Sequence, residues 1–418
     1  MPGTGAVRVP RSISGSAAVL MFLLILIAYS VNAMDRMVFP VLLGEVRAEY
    51  GFGLAAAGLQ STLFALGMGI TGVPAGIALR RVSRKNVLVL GTLVFSVATM
   101  LTVASFGFWD MVAWRVLSGV GEALQLVAIL TVSSHAFPRH RGIAIGSVNV
   151  AFGTGSLVGP NLGVALHRSF DSWRAPMIAF GLIGIVAALL VLIAVRPAFT
   201  ERTSVPATER EAVHHLGGAT SFRSHNPLVL AAITVLFGLI DFGYIGMYAS
   251  FTIDHLGFTQ EQAAFVVGLS GIAAFASPLG GWLVDRLTPR IAIGALSIAQ
   301  AVCGTALFAG PADVGWQATW SFLFGLVASS GVYVGLASSL VKSMAEAHSS
   351  RASGLFTSCI YVAAGFAGLV FSLVVGVAGW SAAGLIQITG LSVLSCLLAL
   401  TLRDAQFSRL APVNHTEE

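Results

Sequence analysis

Twelve times between residues 16 and 402, this chain runs on apolar side chains for about 20 residues or more before charge or turn residues interrupt it. A bilayer core about 30 Å thick takes roughly 20 helical residues to cross, and a helix satisfies its own backbone N–H and C=O groups where water cannot. The runs are 16–44, 54–79, 86–105, 108–135, 141–166, 174–195, 227–252, 261–284, 290–309, 315–341, 352–378 and 380–402. They predict an all-α membrane protein of twelve transmembrane helices. Composition agrees: 10% of residues are charged, against about a quarter in soluble domains. That excludes a soluble enzyme held by a single anchor.

Arg8 and Arg11 precede the first run as in a secretory signal, but the stretch from Ala17 past Met34 has no small-residue cleavage site and reads as the first transmembrane helix. Cys303, Cys359 and Cys396 all lie in apolar runs, giving neither a disulfide framework nor metal-ligand spacing. The lysines are Lys85 and Lys342, so no nucleotide-binding Gly-Lys-Ser/Thr loop is present. His214 and His215 lack a second pair of metal ligands, and His135 and His140 lack catalytic partners. The expectation is a protein without metal, cofactor or enzymatic activity.

With the N-terminus inside, 18 of the 23 basic residues fall on the cytoplasmic side, which fixes orientation by the positive-inside rule and puts both termini in the cytoplasm. The net charge of +5 is therefore topology rather than a nucleic-acid surface. Residues 196–226, polar and carrying Pro206, Gly217 and Gly218, read as a cytoplasmic linker between an N-terminal half, 1–195, and a C-terminal half, 227–418. The halves repeat at an offset near 206 residues: Glu49-Tyr50-Gly51-Phe52 matches His255-Leu256-Gly257-Phe258, Gly119 matches Gly325, and Pro74-Ala75-Gly76 matches Pro278-Leu279-Gly280 at 204. Two pseudo-symmetric six-helix halves, complete as a monomer, are the plan of a rocker-type transporter with its substrate between them.

Five charges stand where a membrane helix resists them: Asp35, Arg36, Arg115, Glu122 and Asp241. Arg115 and Glu122 lie two turns apart on one face of the fourth helix, with Gly119 between them admitting a close neighbour, expected to be the first helix with Asp35 and Arg36. Asp241 repeats Asp35, whereas Ser321 and Ala328 replace Arg115 and Glu122, so the fold does not demand the charges on the fourth helix. A satisfied packing network is the other reading. In apolar surroundings a carboxylate favours its neutral form, and a neighbouring arginine opposes this. An anion that occupies the arginine therefore leaves the carboxylate to take a proton, and the two move together. A cationic substrate would instead compete with the proton.

The same residues carry a family likeness. Asp35-Arg36, the run Arg115-Val116-Leu117-Ser118-Gly119-Val120-Gly121-Glu122-Ala123, and Phe137-Pro138-Arg139-His140-Arg141-Gly142 resemble the major facilitator superfamily, in particular its anion:cation symporter group and spinster-like transporters. The resemblance implies proton sites at Asp35 and Glu122, with Arg36 and Arg115 organising them or holding the anion. It also implies an inner gate at Gly281-Trp282-Leu283-Val284-Asp285-Arg286-Leu287-Thr288-Pro289-Arg290, where Asp285, Arg286 and Arg290 would lock the cytoplasmic face. The matching loop of the first half departs from the pattern, with Arg80 in place of the acid. Gly155-Ser156-Leu157-Val158-Gly159-Pro160-Asn161-Leu162-Gly163 is similar to a motif of exchangers, or is a close-packing helix.

Asp35, Glu122 and Asp241 are thus the candidate proton-coupling residues, and Arg36, Arg115, Tyr244, Tyr361, Gln125 and Asn161 the candidate substrate contacts. Tyr244 and Tyr248 share a helix face. The leading expectation is a proton-coupled symporter of a small organic anion in the cytoplasmic membrane. The alternative is a proton-driven exporter of an amphipathic drug-like or lysolipid-like compound.

Overall fold

The computed structural model describes residues 15–52, 54–201, 218–345 and 348–408. Among them, twelve helices are long and apolar enough to cross a membrane: α1 Gly15–Phe39, α2 Leu59–Ala78, α3 Arg84–Thr102, α4 Phe108–Ala136, α5 Pro138–Phe170, α6 Arg174–Ala194, α7 His225–His255, α8 Glu261–Arg286, α9 Pro289–Phe308, α10 Val314–Ser343, α11 Ser349–Ala378 and α12 Trp380–Leu400. Each falls within a few residues of its expected run. The first run is the one divided: the helix stops at Val41, and Leu43–Tyr50 forms a separate short helix ending at Gly51. Where boundaries are sharp, a cap explains them. Ser83 accepts from the Asn86 N–H at the start of α3, and Asp313 accepts from the Trp316 N–H at the start of α10. Residues 202–217 of the expected linker, and the basic residues Arg8, Arg11, Arg202, Arg210 and Arg409, lie outside the described residues.

The internal repeat survives as geometry. Gly51 and Gly257 both take the left-handed backbone, φ 71° and 73°, at matching turns. Gly119 of α4 lies against the carbonyl of Phe64 on α2, and Gly325 of α10 against that of Ser270 on α8, pairs displaced by the same 206 residues. This corrects the expected neighbour of Gly119. The glycine admits α2, while α1 reaches α4 through its side chains. Lipid tails are as apolar as leucine, so hydrophobicity does not drive helix against helix and close approach through small residues does. The outer face of α6, with Leu182, Val186, Leu190 and Ile193 exposed, is left for lipid.

The halves meet along two seams, α2 with α11 and α5 with α8. Gly72 abuts Gly354 and Ser358, and Ser358 Oγ donates to the Gly69 carbonyl. Gly142 lies against Gly281, backbone to backbone. Both seams are tight at the end of the bundle that carries Arg80, Arg141, Arg286 and Arg351. Farther along α8, a side chain added at Gly268 or Gly271 would meet nothing within 4 Å. The α5–α8 seam is thus closed at the basic end and parted beyond it, while α2 and α11 stay in contact farther along, with Gly365 against Leu66 and Thr62.

Candidate functional site

Between the parted halves lies a cavity of about 390 Å³, walled by α1 and α5 on one side and by α7, α8, α10 and α11 on the other. Its wall is mostly aromatic and aliphatic, with few polar groups, the usual make-up of a small-molecule site. Asn149 stands where seam becomes cavity: its amide donates to Ser277 Oγ at 2.8 Å and to the Ser329 carbonyl at 2.9 Å. That carbonyl belongs to a wide turn of α10, Leu326–Tyr333, whose i→i+5 pattern alters the ordinary helical bonding.

Arg36 is the cation on this wall. Its Nε donates to Glu122 Oε2 at 2.8 Å, Nη1 to the Tyr361 hydroxyl at 2.6 Å and Nη2 to Asn32 Oδ1 at 3.3 Å. The guanidinium also lies 5.1 Å from the Phe152 ring centre and 5.2 Å from that of Tyr361. One side chain thus joins a buried carboxylate of the first half to a hydroxyl of the second. Behind it, Asp35 accepts from Thr99 at 2.8 Å and from Ser118 at 3.2 Å. Ser118 also lies 3.5 Å from Glu122, so a single hydroxyl is shared by the two carboxylates. Asp35, Arg36, Arg115 and Glu122 are all buried and belong to one cluster.

The first helix supplies the opposite charge to Glu122, through Arg36, as expected. Asp35 makes no such direct pair with Arg115 among the described residues. Arg115 lies 4.5 Å from the Phe39 ring centre and 4.8 Å from that of Phe64, with Nη1 lacking a hydrogen-bond partner among the described residues. It is absent from the cavity wall. Two further candidates also sit elsewhere. Gln125 uses its amide on Thr92, at 2.8 Å, and on the Ala28 carbonyl, so it ties α4 to α1 and α3. Asn161 is exposed and bonds the Leu157 carbonyl one turn back on its own helix. The glycines of the α5 motif pack against α1: Gly155 on Ser30, Gly159 on Met34 and Gly163 on Val38.

Tyr361, Tyr244 and Asp241 line the cavity. Tyr244 stacks on Tyr248, with ring centres 4.6 Å apart, and its hydroxyl lies 2.6 Å from Ser321 Oγ. Phe152, Phe242, Phe324 and Tyr333 add to the aromatic wall, and hydropathy alone did not separate them from packing residues.

At the basic end, Asp285 accepts from the Gly142 N–H at 2.8 Å, across the halves, and pairs with Lys342 at 3.0 Å. Of the residues expected at the inner gate, Asp285 therefore makes the contact across the halves, through a backbone donor, with Lys342 as its ion-pair partner. Arg286 instead stacks over Trp282 at 3.9 Å, and Arg290 is exposed. Opposite, Arg80 and Arg351 both stand close to His348, and burial together with these two cations lowers the affinity of His348 for a proton.

The residues at 25–368 match the model of the Major Facilitator Superfamily. The chain belongs to that superfamily. It is a multi-pass membrane transporter, not an enzyme. It is 26% identical over 305 residues to the cis,cis-muconate transport protein of Acinetobacter baylyi, covering 69% of this chain and 70% of that one. It is 25% identical over 313 residues to Protein spinster of Drosophila melanogaster, covering 70% of this chain and 51% of the fly protein. Among solved structures, the proton:xylose symporter XylE shares the fold with a TM-score of 0.73 at 15% identity, over 92% of this chain and 95% of that one.

Proposed function

We propose that this transporter carries a small organic anion together with a proton into the cell, across the cytoplasmic membrane, with its basic end in the cytoplasm. One observation carries the reading: the single cation on the cavity wall among the described residues, Arg36, is also the ion-pair partner of buried Glu122, at 2.8 Å. A substrate carboxylate arriving from the cavity competes for the same guanidinium. Glu122, without its counter-ion in apolar surroundings, then takes a proton, because an unpaired buried charge is costly. The loaded cluster carries no more charge than the empty one, and the halves can rock around it. Asp35, held by Thr99 and Ser118, adds a second carboxylate that shares a hydroxyl with Glu122. The muconate relative, named for a dicarboxylate, supports the anion as substrate class.

The seams closed at the basic end are the outward-open arrangement of this cycle, with Asp285, Lys342 and the Gly142 N–H as the inner gate. In proteoliposomes, Glu122→Gln is expected to abolish uphill, proton-driven accumulation of an organic acid while leaving counterflow exchange. Full concentrative uptake by the variant would remove Glu122 from coupling.

A further inference from the structure

The cavity wall holds a second ionisable group from the other half, Asp241 of α7. It is half-buried and has neither a hydrogen bond nor an ion pair among the described residues. Its repeat counterpart, Asp35, is served by Ser118, but the position matching Ser118 is Phe324, which has no donor. Tyr244, one turn along, offers none either. The Ser321 hydroxyl donates to the Val266 carbonyl at 2.6 Å, so the Tyr244 hydroxyl is itself the donor to Ser321. The four charges around Arg36 sum to zero, and an anion entering with a proton keeps that sum, so the Asp241 carboxyl is left with no counter-charge of its own on the wall. A positive group on the substrate would supply that counter-charge and hold the carboxyl ionised, and the rings of Phe242, Phe324 and Tyr333 on the same wall favour a cation over a neutral hydroxyl.

We propose that the substrate is bipolar: a carboxylate held by Arg36 and an ammonium group held by Asp241, with an apolar or aromatic body between them. This deepens the reading of Arg36 as the anion's anchor and rests on it.

The test uses full-length protein in detergent at neutral pH and four probes of one shape: para-aminomethylbenzoate, para-hydroxymethylbenzoate, para-methylbenzoate and para-methylbenzylamine. Calorimetry gives the dissociation constants, and unfolding of the unliganded protein checks each variant. The aminomethyl acid is expected to bind at least about tenfold tighter than its hydroxymethyl and methyl analogues, as one charge-assisted hydrogen bond provides. Asp241→Asn should erase that preference while retaining the methyl acid. Should the variant not fold, the wild-type ranking decides alone. Equal or weaker binding of the aminomethyl acid, or an unchanged ranking in Asp241→Asn, overturns the ammonium site and leaves Arg36 as the anchor if Arg36→Gln still loses every acid. Binding of para-methylbenzylamine with no binding of any acid overturns the anchor instead and keeps the Asp241 site.

Discussion

Replacing Arg36 by lysine keeps the charge and removes the shape. In the protein, the guanidinium serves Glu122 through Nε, Tyr361 through Nη1 and Asn32 through Nη2, and its flat face lies against Phe152 and Tyr361. A compact ammonium cannot span these directions at once or stack as a plane. A carboxylate on the guanidinium would receive a pair of charge-assisted bonds, each worth about 1.5 to 3 kcal/mol. Loss of one corresponds to a weakening of about 10- to 100-fold, at 1.4 kcal/mol per factor of ten. Calorimetric titration of purified Arg36→Lys with an organic acid that the wild type binds should show this loss, with the thermal midpoint of the free protein reported beside it. Wild-type affinity in a folded variant would refute the assignment of Arg36 as the anion's partner.

Arg115→Lys should behave oppositely. It gives up the stack on Phe39 and Phe64, costing on the order of 1 kcal/mol of stability, with substrate affinity unchanged; a calorimetric loss equal to that of Arg36→Lys would place Arg115 at the substrate. In Gly142→Ala the added methyl meets the backbone of Gly281, so the inner seam cannot close. Spin labels on the cytoplasmic ends of α5 and α8 should report a longer mean distance than in the wild type, and an unchanged distance would show that the seam yields. Outside the membrane, hydrogen bonds from Arg174 and Trp173 hold the Glu49 carboxyl below its ordinary range. Such a group stabilises the fold above its unfolded value and loses that contribution as pH falls through the lowered one. Glu49→Gln should therefore melt slightly lower near neutrality, with the gap to wild type closing in acid; a gap that widens in acid would reverse the sign.

Hydropathy and charge placement determined the twelve spans and the side on which basic residues gather, because burial in lipid is set by run length and few charges survive there. The repeat was legible for the same reason that Gly51 and Gly257 share a left-handed turn: a backbone requirement leaves a residue-level mark. What hydropathy cannot give is rotation about each helix axis. Depth placed Arg36, Arg115, Glu122 and Gln125 together, but azimuth decides that Arg36 faces the cavity and Glu122 at once, that Arg115 turns to Phe39 and Phe64, and that Gln125 ties helices together. Ion-pair partners on different helices were hidden likewise. Lys342 lies 57 residues from Asp285, and only the packing of α8 on α10 makes them a pair.

Coupled transport by this protein requires one exchange: an anion takes Arg36, and Glu122 takes a proton. Its most direct measurement is the proton count on binding, made by adding a wild-type ligand to purified protein in weakly buffered detergent near neutral pH and following a pH indicator. Wild-type protein should withdraw protons from solution as the organic anion saturates it, and Glu122→Gln should bind the anion with no such withdrawal. Binding to the wild type without proton uptake, or equal uptake by the variant, would contradict it.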